Sequence, residues 1–309
     1  MTSPESRTAV LLMAYGTPRH PDQIEEYYTD IRRGRPPTPE LLAELVARYE
    51  AIGGISPLAE LTEAQRDGLQ AALDDTHPGR FEVVLGLKHA APMIEAAVDE
   101  LAARGFRRVI GLVLAPHYSS YSIGQYMGRA RTAAEPHGIE VAGVESWATE
   151  GAYVDFLVDD LRTRLARMPD GSHVFFTAHS LPTRIIDGGD PYPNELRSTA
   201  EAVAVRLGLE EGRDFSIAWQ SAGRTPEPWL GPDVLEVIER VADEGSAPGV
   251  IVSAVGFVAD HLEVLYDLDI EAAAAAGARG LAFDRTASVN AEPSVLTALA
   301  RRVAELDRD

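Results

Sequence analysis

The feature that most constrains this chain is a repeated alternation of short apolar runs with longer amphipathic stretches. Apolar runs of strand length lie at residues 9–14, 81–87, 108–115, 140–144, 173–178, 215–219, 250–255 and 280–283. Between them, stretches such as 90–103, 153–168 and 195–207 carry apolar residues at helical spacing. Continuous rather than alternating apolar strands are buried on both faces, and parallel strands need crossovers that helices supply. The expected fold is α/β, with parallel sheets covered by helices on both sides.

The two halves echo one another. Tyr15-Gly16-Thr17-Pro18 follows the first strand, and His179-Ser180-Leu181-Pro182 follows the first strand of the second half. The strand at 108–115 runs into a polar, aromatic segment with His117, Tyr118 and Tyr126. The strand at 250–255 runs into one with Asp260, His261, Glu263 and Tyr266. We expect two similar Rossmann-like domains, 1–147 and 148–309, with a shared cleft between their strand ends. A C-terminal helix at 294–306 is expected to pack back on the first domain.

Several classes are disfavoured. Neither GxGxxG nor GxxxxGK[ST] opens a helix, so the usual nucleotide fingerprints are absent. With no cysteine, thiolate catalysis, disulfides and cysteine-held clusters are excluded. The 48 acidic residues against 28 basic give a formal charge of −20, an average field that repels nucleic acid and anionic membranes. No run approaches the roughly 20 apolar residues of a membrane span. The first apolar segment is too short for a secretory signal. The expectation is a cytoplasmic protein without a membrane span.

In open α/β sheets ligands bind beyond the carboxyl ends of the strands. Those ends carry Tyr15, Lys88, His89, His117, His179, Gln220 and the 256–261 turn. His179 is either a metal ligand or proton acceptor, or a strand-end histidine bonded to backbone. Glu263, Asp267 and Glu271 fall at i, i+4 and i+8, one acidic stripe if the segment is a regular helix. Such a stripe is either a path for a hydrated divalent cation or a solvated face. No HExxH spacing is present, so a metal here would be held weakly. Arg32, Arg33, Arg35 and Arg48 lie within seventeen residues of an acidic chain. They form either an anion site for carboxylates or surface salt bridges. The apolar, glycine-rich segment 52–58 after them suits a flat wall.

The motifs Met13-Ala14-Tyr15-Gly16-Thr17-Pro18, Ile31-Arg32-Arg33-Gly34, Arg48-Tyr49-Glu50-Ala51-Ile52-Gly53-Gly54-Ile55-Ser56-Pro57-Leu58, Gly86-Leu87-Lys88-His89 and Leu114-Ala115-Pro116-His117-Tyr118-Ser119 follow one another along the chain. Ala178-His179-Ser180-Leu181-Pro182, Pro228-Trp229-Leu230-Gly231-Pro232 and Val255-Gly256-Phe257-Val258-Ala259-Asp260-His261-Leu262-Glu263 complete the set. Together they resemble the ferrochelatases over essentially the whole chain. The resemblance implies a porphyrin cleft between the two domains, with His179 and Glu263 as the catalytic pair. It implies metal contacts from His179, Glu263, Asp267 and Glu271, and porphyrin contacts from Tyr15, Arg32, Arg48, Tyr49, Ser56 and Tyr126. Ferrous iron would be a substrate rather than a tightly bound cofactor. Some relatives from high-GC bacteria carry an iron–sulfur cluster, which a chain without cysteine cannot hold.

Within the family the chain is most similar to the soluble, monomeric, coproporphyrin-using branch. The residues after Arg35 are polar and proline-rich where membrane-associated relatives carry an apolar lip, and four propionates suit a dense arginine cluster. Alternatives are a protoporphyrin IX ferrochelatase, a more distant cobalt chelatase, and a non-catalytic porphyrin or haem carrier. The resemblance also implies a monomer that meets neighbouring haem-pathway enzymes only transiently.

Overall fold

The computed structural model describes residues 7–223 and 225–308. Two four-stranded parallel sheets form the frame. The first contains β1 (Thr8–Ala14), β2 (Phe81–Leu87), β3 (Arg108–Val113) and β4 (Glu140–Val144), in the order β2-β1-β3-β4. The second contains β5 (His173–His179), β6 (Phe215–Gln220), β7 (Gly249–Ser253) and β8 (Ala282–Arg285), in the order β6-β5-β7-β8. The two orders are the same pattern, so the expected repetition extends to topology.

The helices are α1 (Ile24–Ile31), α2 (Pro39–Ala51), α3 (Leu58–Thr76), α4 (Ile94–Ala103), α5 (Ile123–Ala134), α6 (Gly151–Leu165), α7 (Thr183–Asp187), α8 (Tyr192–Leu207), α9 (Val234–Glu244), α10 (Leu262–Leu265), α11 (Ala273–Ala278) and α12 (Pro293–Leu306). Among the described residues, none is long and apolar enough to cross a membrane.

Period-2 alternation explains why both faces of each sheet are covered. In β1, Val10 and Leu12 face one core and Ala9, Leu11 and Met13 the other. In β5, Val174, Phe176 and Ala178 join the same core as Val10 and Leu12, while Phe175 enters a separate one. One continuous apolar core therefore joins the two sheets. Helix α12 contributes Val295, Leu296, Leu299 and Val303 to it, beside Leu69 and Leu73 of α3. Burial of each such side chain contributes about 1.5–3 kcal/mol. A Cβ on Gly68 of α3 would meet Leu296 Cδ1 at 2.5 Å, so glycine is what permits this close approach. Arg80 pairs with Asp307, and Arg108 donates to the Leu306 carbonyl, which fixes the end of α12 against the first sheet.

Some expected boundaries shift. The strand at 108–115 ends at Val113, just before a turn led by Pro116, which has no N–H to donate. The helix expected from residue 90 begins at Ile94, because Pro92 lacks a donor and keeps Ala91 out of the helical region. The last strand lies two residues later than expected, after a turn in which Gly280 takes φ +75°. The largest departure is at 262–278. A short α10 gives way to a π-helical stretch, Asp267–Ala272, before α11 resumes. The Glu271 N–H reaches back five residues to the Tyr266 carbonyl. The acidic stripe thus does not run along one regular helix, and π turns of this kind are frequent at functional sites.

Candidate active site

The carboxyl ends of both sheets open on one cleft of about 990 Å³, at the upper limit of the roughly 300–1,000 Å³ usual for ligand pockets. Tyr15 and His179 occupy equivalent places in it. Each stands at the end of the first strand of its sheet, where the strand order reverses.

His179 closes β5. Its Nδ1 donates to the Ser180 carbonyl at 2.6 Å. A carbonyl only accepts, so Nδ1 is protonated, and in the neutral imidazole Nε2 is the nitrogen with the free lone pair. Nε2 lies 3.8 Å from Glu263 Oε1. His261 is fixed the same way, with Nδ1 donating to the Ala259 carbonyl at 2.9 Å and Nε2 3.7 Å from Glu263 Oε2. The Glu263 carboxylate thus stands between two imidazole Nε2 atoms, a grouping that favours a proton or a cation. Burial would raise the Glu263 pKa, but His179 and His261 in their imidazolium forms, together with Arg48, outweigh it and hold the carboxyl at about 2. These groups do not converge on one point. Among the described residues, no three His, Asp or Glu side chains are arranged to hold a metal ion together.

Asp267 differs from its expected part in a hydrated stripe. It is only 8% exposed, forms an ion pair with Arg48 and accepts a hydrogen bond from Ser221 Oγ. Burial pushes its carboxyl up to about 6, helped by Glu263 and Glu271 and opposed by Ser221 and Arg48. Glu271, one turn further, lines the cleft.

The arginine cluster also separates. Arg32 and Arg33 line the cleft at the end of α1, and the Arg32 guanidinium lies 5.5 Å from the centre of the Tyr28 ring. Arg48, on α2, lines the cleft as well but is turned to Asp267 and stacks at 4.4 Å on Tyr266. Arg35 is not among the lining residues. The expected wall at 52–58 is reduced to Ser56 and Leu58. Ile52 and Ile55 turn inward, onto a small core of Ile24, Tyr49 and Leu262. Tyr49 and Ser56 are buried at the cleft floor, with the Tyr49 hydroxyl 3.4 Å from Thr17 Oγ1. Tyr126, on α5, lies under Lys88 Nζ at 5.1 Å.

Tyr15 is 42% exposed in the cleft, with its ring centre 4.6 Å from that of His89. Desolvation in this concave setting, with Glu263 as second cause, raises its pKa, so the phenol stays protonated at neutral pH. Lys88, close by, is lowered to about 8 by burial and by Arg129 and Arg33. The cleft is therefore basic on the side of the first sheet and acidic on the side of the second.

His261, Lys88 and Ser221 appear in the sequence only as polar residues at or beyond strand ends. Their approach to Glu263, Tyr15 and Asp267 is a product of the fold. Ser221 adopts a left-handed φ of +58° to reach Asp267, a conformation rare for a non-glycine residue.

Comparisons with known proteins bear on the fold and the family. In fold, the chain is similar to the sirohydrochlorin chelatase SirB from Bacillus subtilis subspecies spizizenii in complex with cobalt, with a TM-score of 0.57, 11% identity, and 97% of this chain and 94% of that chain covered. In sequence, it is 42% identical to the coproporphyrin III ferrochelatases of Halalkalibacterium halodurans and Bacillus subtilis, over 96% and 95% of this chain and 96% of each relative. It is 43% identical to a ferrochelatase of Herpetosiphon aurantiacus, over 95% of this chain and 97% of that one. The ferrochelatase family model matches residues 7–306, the span that forms both sheets and the cleft between them, and the chain belongs to the ferrochelatase family.

Proposed function

We propose that this ferrochelatase inserts ferrous iron into coproporphyrin III. One observation carries the chemistry: His179 Nε2, its ring oriented through Nδ1, faces the ionised Glu263 across 3.8 Å, inside a cleft of about 990 Å³. The relatives named coproporphyrin III ferrochelatase support the choice of porphyrin.

Metalation must remove two pyrrole protons and strip water from a dication. His179 Nε2 is placed to accept a proton, since Nδ1 is already committed to the Ser180 carbonyl. Glu263, kept ionised by its neighbours, replaces water around the incoming cation. Tyr15 faces the macrocycle from the first sheet, as a neutral phenol. Glu271 lies on the acidic side, on the way in. No tightly bound cofactor takes part, and iron enters as substrate. The protein acts as a cytoplasmic monomer and passes its product on by transient contact.

If Glu271 guides the cation, Glu271→Ala should raise the iron concentration for half-maximal rate severalfold while the rate at saturating iron is kept. An equal loss at saturating iron would contradict that role. Asp267→Ala should differ by also lowering thermal stability. It deprives the partly buried Arg48 of its carboxylate, and a lost hydrogen bond to a charged group costs about 1.5–3 kcal/mol. Calorimetry of both variants distinguishes the two residues.

Substrate choice is tested at Arg32, whose guanidinium, among the described residues, meets the Arg35 carbonyl and the Tyr28 ring, whereas that of Arg48 pairs with a carboxylate. A charge-assisted bond to a propionate contributes about 1.5–3 kcal/mol where buried and less where wet. Arg32→Ala should therefore weaken coproporphyrin III more than protoporphyrin IX, by up to roughly tenfold, with high salt narrowing the difference. Equal weakening of both, or faster turnover of protoporphyrin IX by the unaltered enzyme, would favour the protoporphyrin reading.

A further inference from the structure

The catalytic histidine is fixed by more than its own strand. Pairing of β5 with β6 runs to His179–Gln220, but pairing with β7 on the other side ends at Phe176–Ser253, three residues before His179. Beyond it, the His179 carbonyl accepts a hydrogen bond at 3.1 Å from the Tyr192 hydroxyl, a side chain thirteen residues later at the start of α8. Tyr192 is 7% exposed and packs at 5.6 Å on Trp219 of β6 and at 6.4 Å on His117. Its own backbone N–H donates to Asp190 Oδ1 at 3.1 Å.

Asp190, in turn, belongs to the other half of the molecule as much as to its own. Its Oδ2 accepts from Ser120 N at 2.7 Å, Ser120 Oγ at 2.6 Å and Ser119 Oγ at 3.1 Å. Those serines lie in the loop between β3 and α5, the helix that carries Tyr126 into the cleft. A carboxylate only 9% exposed that takes four donors from two sides is a rigid joint. One side of it is the segment that leads into the porphyrin-facing helix. The other is the N-terminus of α8, whose first side chain holds the backbone of His179.

We infer that Asp190 and Tyr192 are positioning residues which set the height of His179 over a porphyrin bound against the first domain. Neither needs to touch porphyrin or iron for this. Proton transfer demands a heavy-atom approach of about 2.6–3.2 Å, and a shift of about 1 Å far from the chemistry can cost roughly a hundredfold. The inference rests on His179 being the reacting histidine.

A second polar contact joins the same two segments and meets Tyr192 only through the edge of the His117 ring. His117 Nε2 lies 2.8 Å from Thr199 Oγ1, whose single hydrogen is donated to the Ala148 carbonyl at 2.7 Å, so His117 is the donor. Thr199→Val removes that bond, leaves every hydrogen bond of Asp190, Tyr192 and His179 in place, and serves as the control for simple loosening of the domain contact.

The test compares Tyr192→Phe, Asp190→Asn, Thr199→Val and His179→Ala in anaerobic iron insertion, together with porphyrin affinity by fluorescence quenching. Tyr192→Phe keeps the ring and loses only the hydroxyl. It should lower kcat about five- to twentyfold with KM and porphyrin affinity unchanged, and Asp190→Asn should do the same or more. Thr199→Val should lower the melting temperature yet keep kcat within about twofold. Wild-type kcat in Tyr192→Phe, or an equal kcat loss in Thr199→Val, overturns the inference. Should Asp190→Asn fail to fold, Tyr192→Phe and Thr199→Val decide alone. Normal activity in His179→Ala would instead defeat the functional reading on which the inference stands.

Discussion

Replacing His179 with alanine is expected to lower iron insertion roughly 100- to 10,000-fold, the usual contribution of a positioned general base, while the porphyrin still binds. The substitution removes the Nε2 lone pair opposite Glu263 and leaves the cleft walls intact. His261 is no ready substitute, although its Nε2 also faces Glu263, because it stands at the other carboxylate oxygen. Binding is read from the porphyrin fluorescence and turnover from the Soret band. Near-normal turnover by His179→Ala would remove this residue from the mechanism, and loss of both signals would mean that the cleft itself had failed.

Glu263→Gln is expected to reduce turnover by a similar order, since the amide keeps the shape but neither carries charge nor accepts a proton near neutral pH. It should leave a second, thermodynamic mark. The Glu263 pKa is depressed from 4.5 to about 2 in the folded protein, so the folded state binds fewer protons than the unfolded chain between those values. Stability then rises with pH through that window. The contribution is fully present above about 4.5 and is lost as the pH falls toward about 2. The wild type should therefore lead Glu263→Gln in melting temperature above about pH 4.5, and the lead should shrink on acidification. A gap that stays constant, or widens in acid, would mean that Glu263 is not held ionised by its histidine and arginine neighbours.

Much of the frame was legible in the sequence because it rests on local pattern. The eight apolar runs became eight strands, and the echo between Tyr15-Gly16-Thr17-Pro18 and His179-Ser180-Leu181-Pro182 became two equivalent strand ends. What failed rests on geometry that spacing alone does not encode. The i, i+4, i+8 pattern of Glu263, Asp267 and Glu271 assumes a regular helix, and a π turn interrupts it. Arg48 lines the cleft with Arg32, as their closeness in sequence suggests, but its pairing with Asp267, 219 residues away, is not visible in spacing. The 52–58 segment looks like a wall by composition, yet Gly53 and Gly54, at φ +104° and +110°, turn the chain so that Ile52 and Ile55 pack inward. The histidines divide on the same principle. His179 could be picked out because it ends an apolar strand, whereas the hold of Tyr192 on it depends on where α8 begins.

The most direct test of iron insertion is a single-turnover reaction of the purified protein with coproporphyrin III and ferrous iron, without oxygen. Soret absorbance and proton release would be followed together. The expected result is a shift of the Soret band to that of the iron complex, far faster than without protein, with two protons released for each porphyrin consumed. A porphyrin that binds and quenches but keeps its free-base spectrum in the presence of iron, with no protons released, would contradict catalysis and leave a porphyrin carrier in its place.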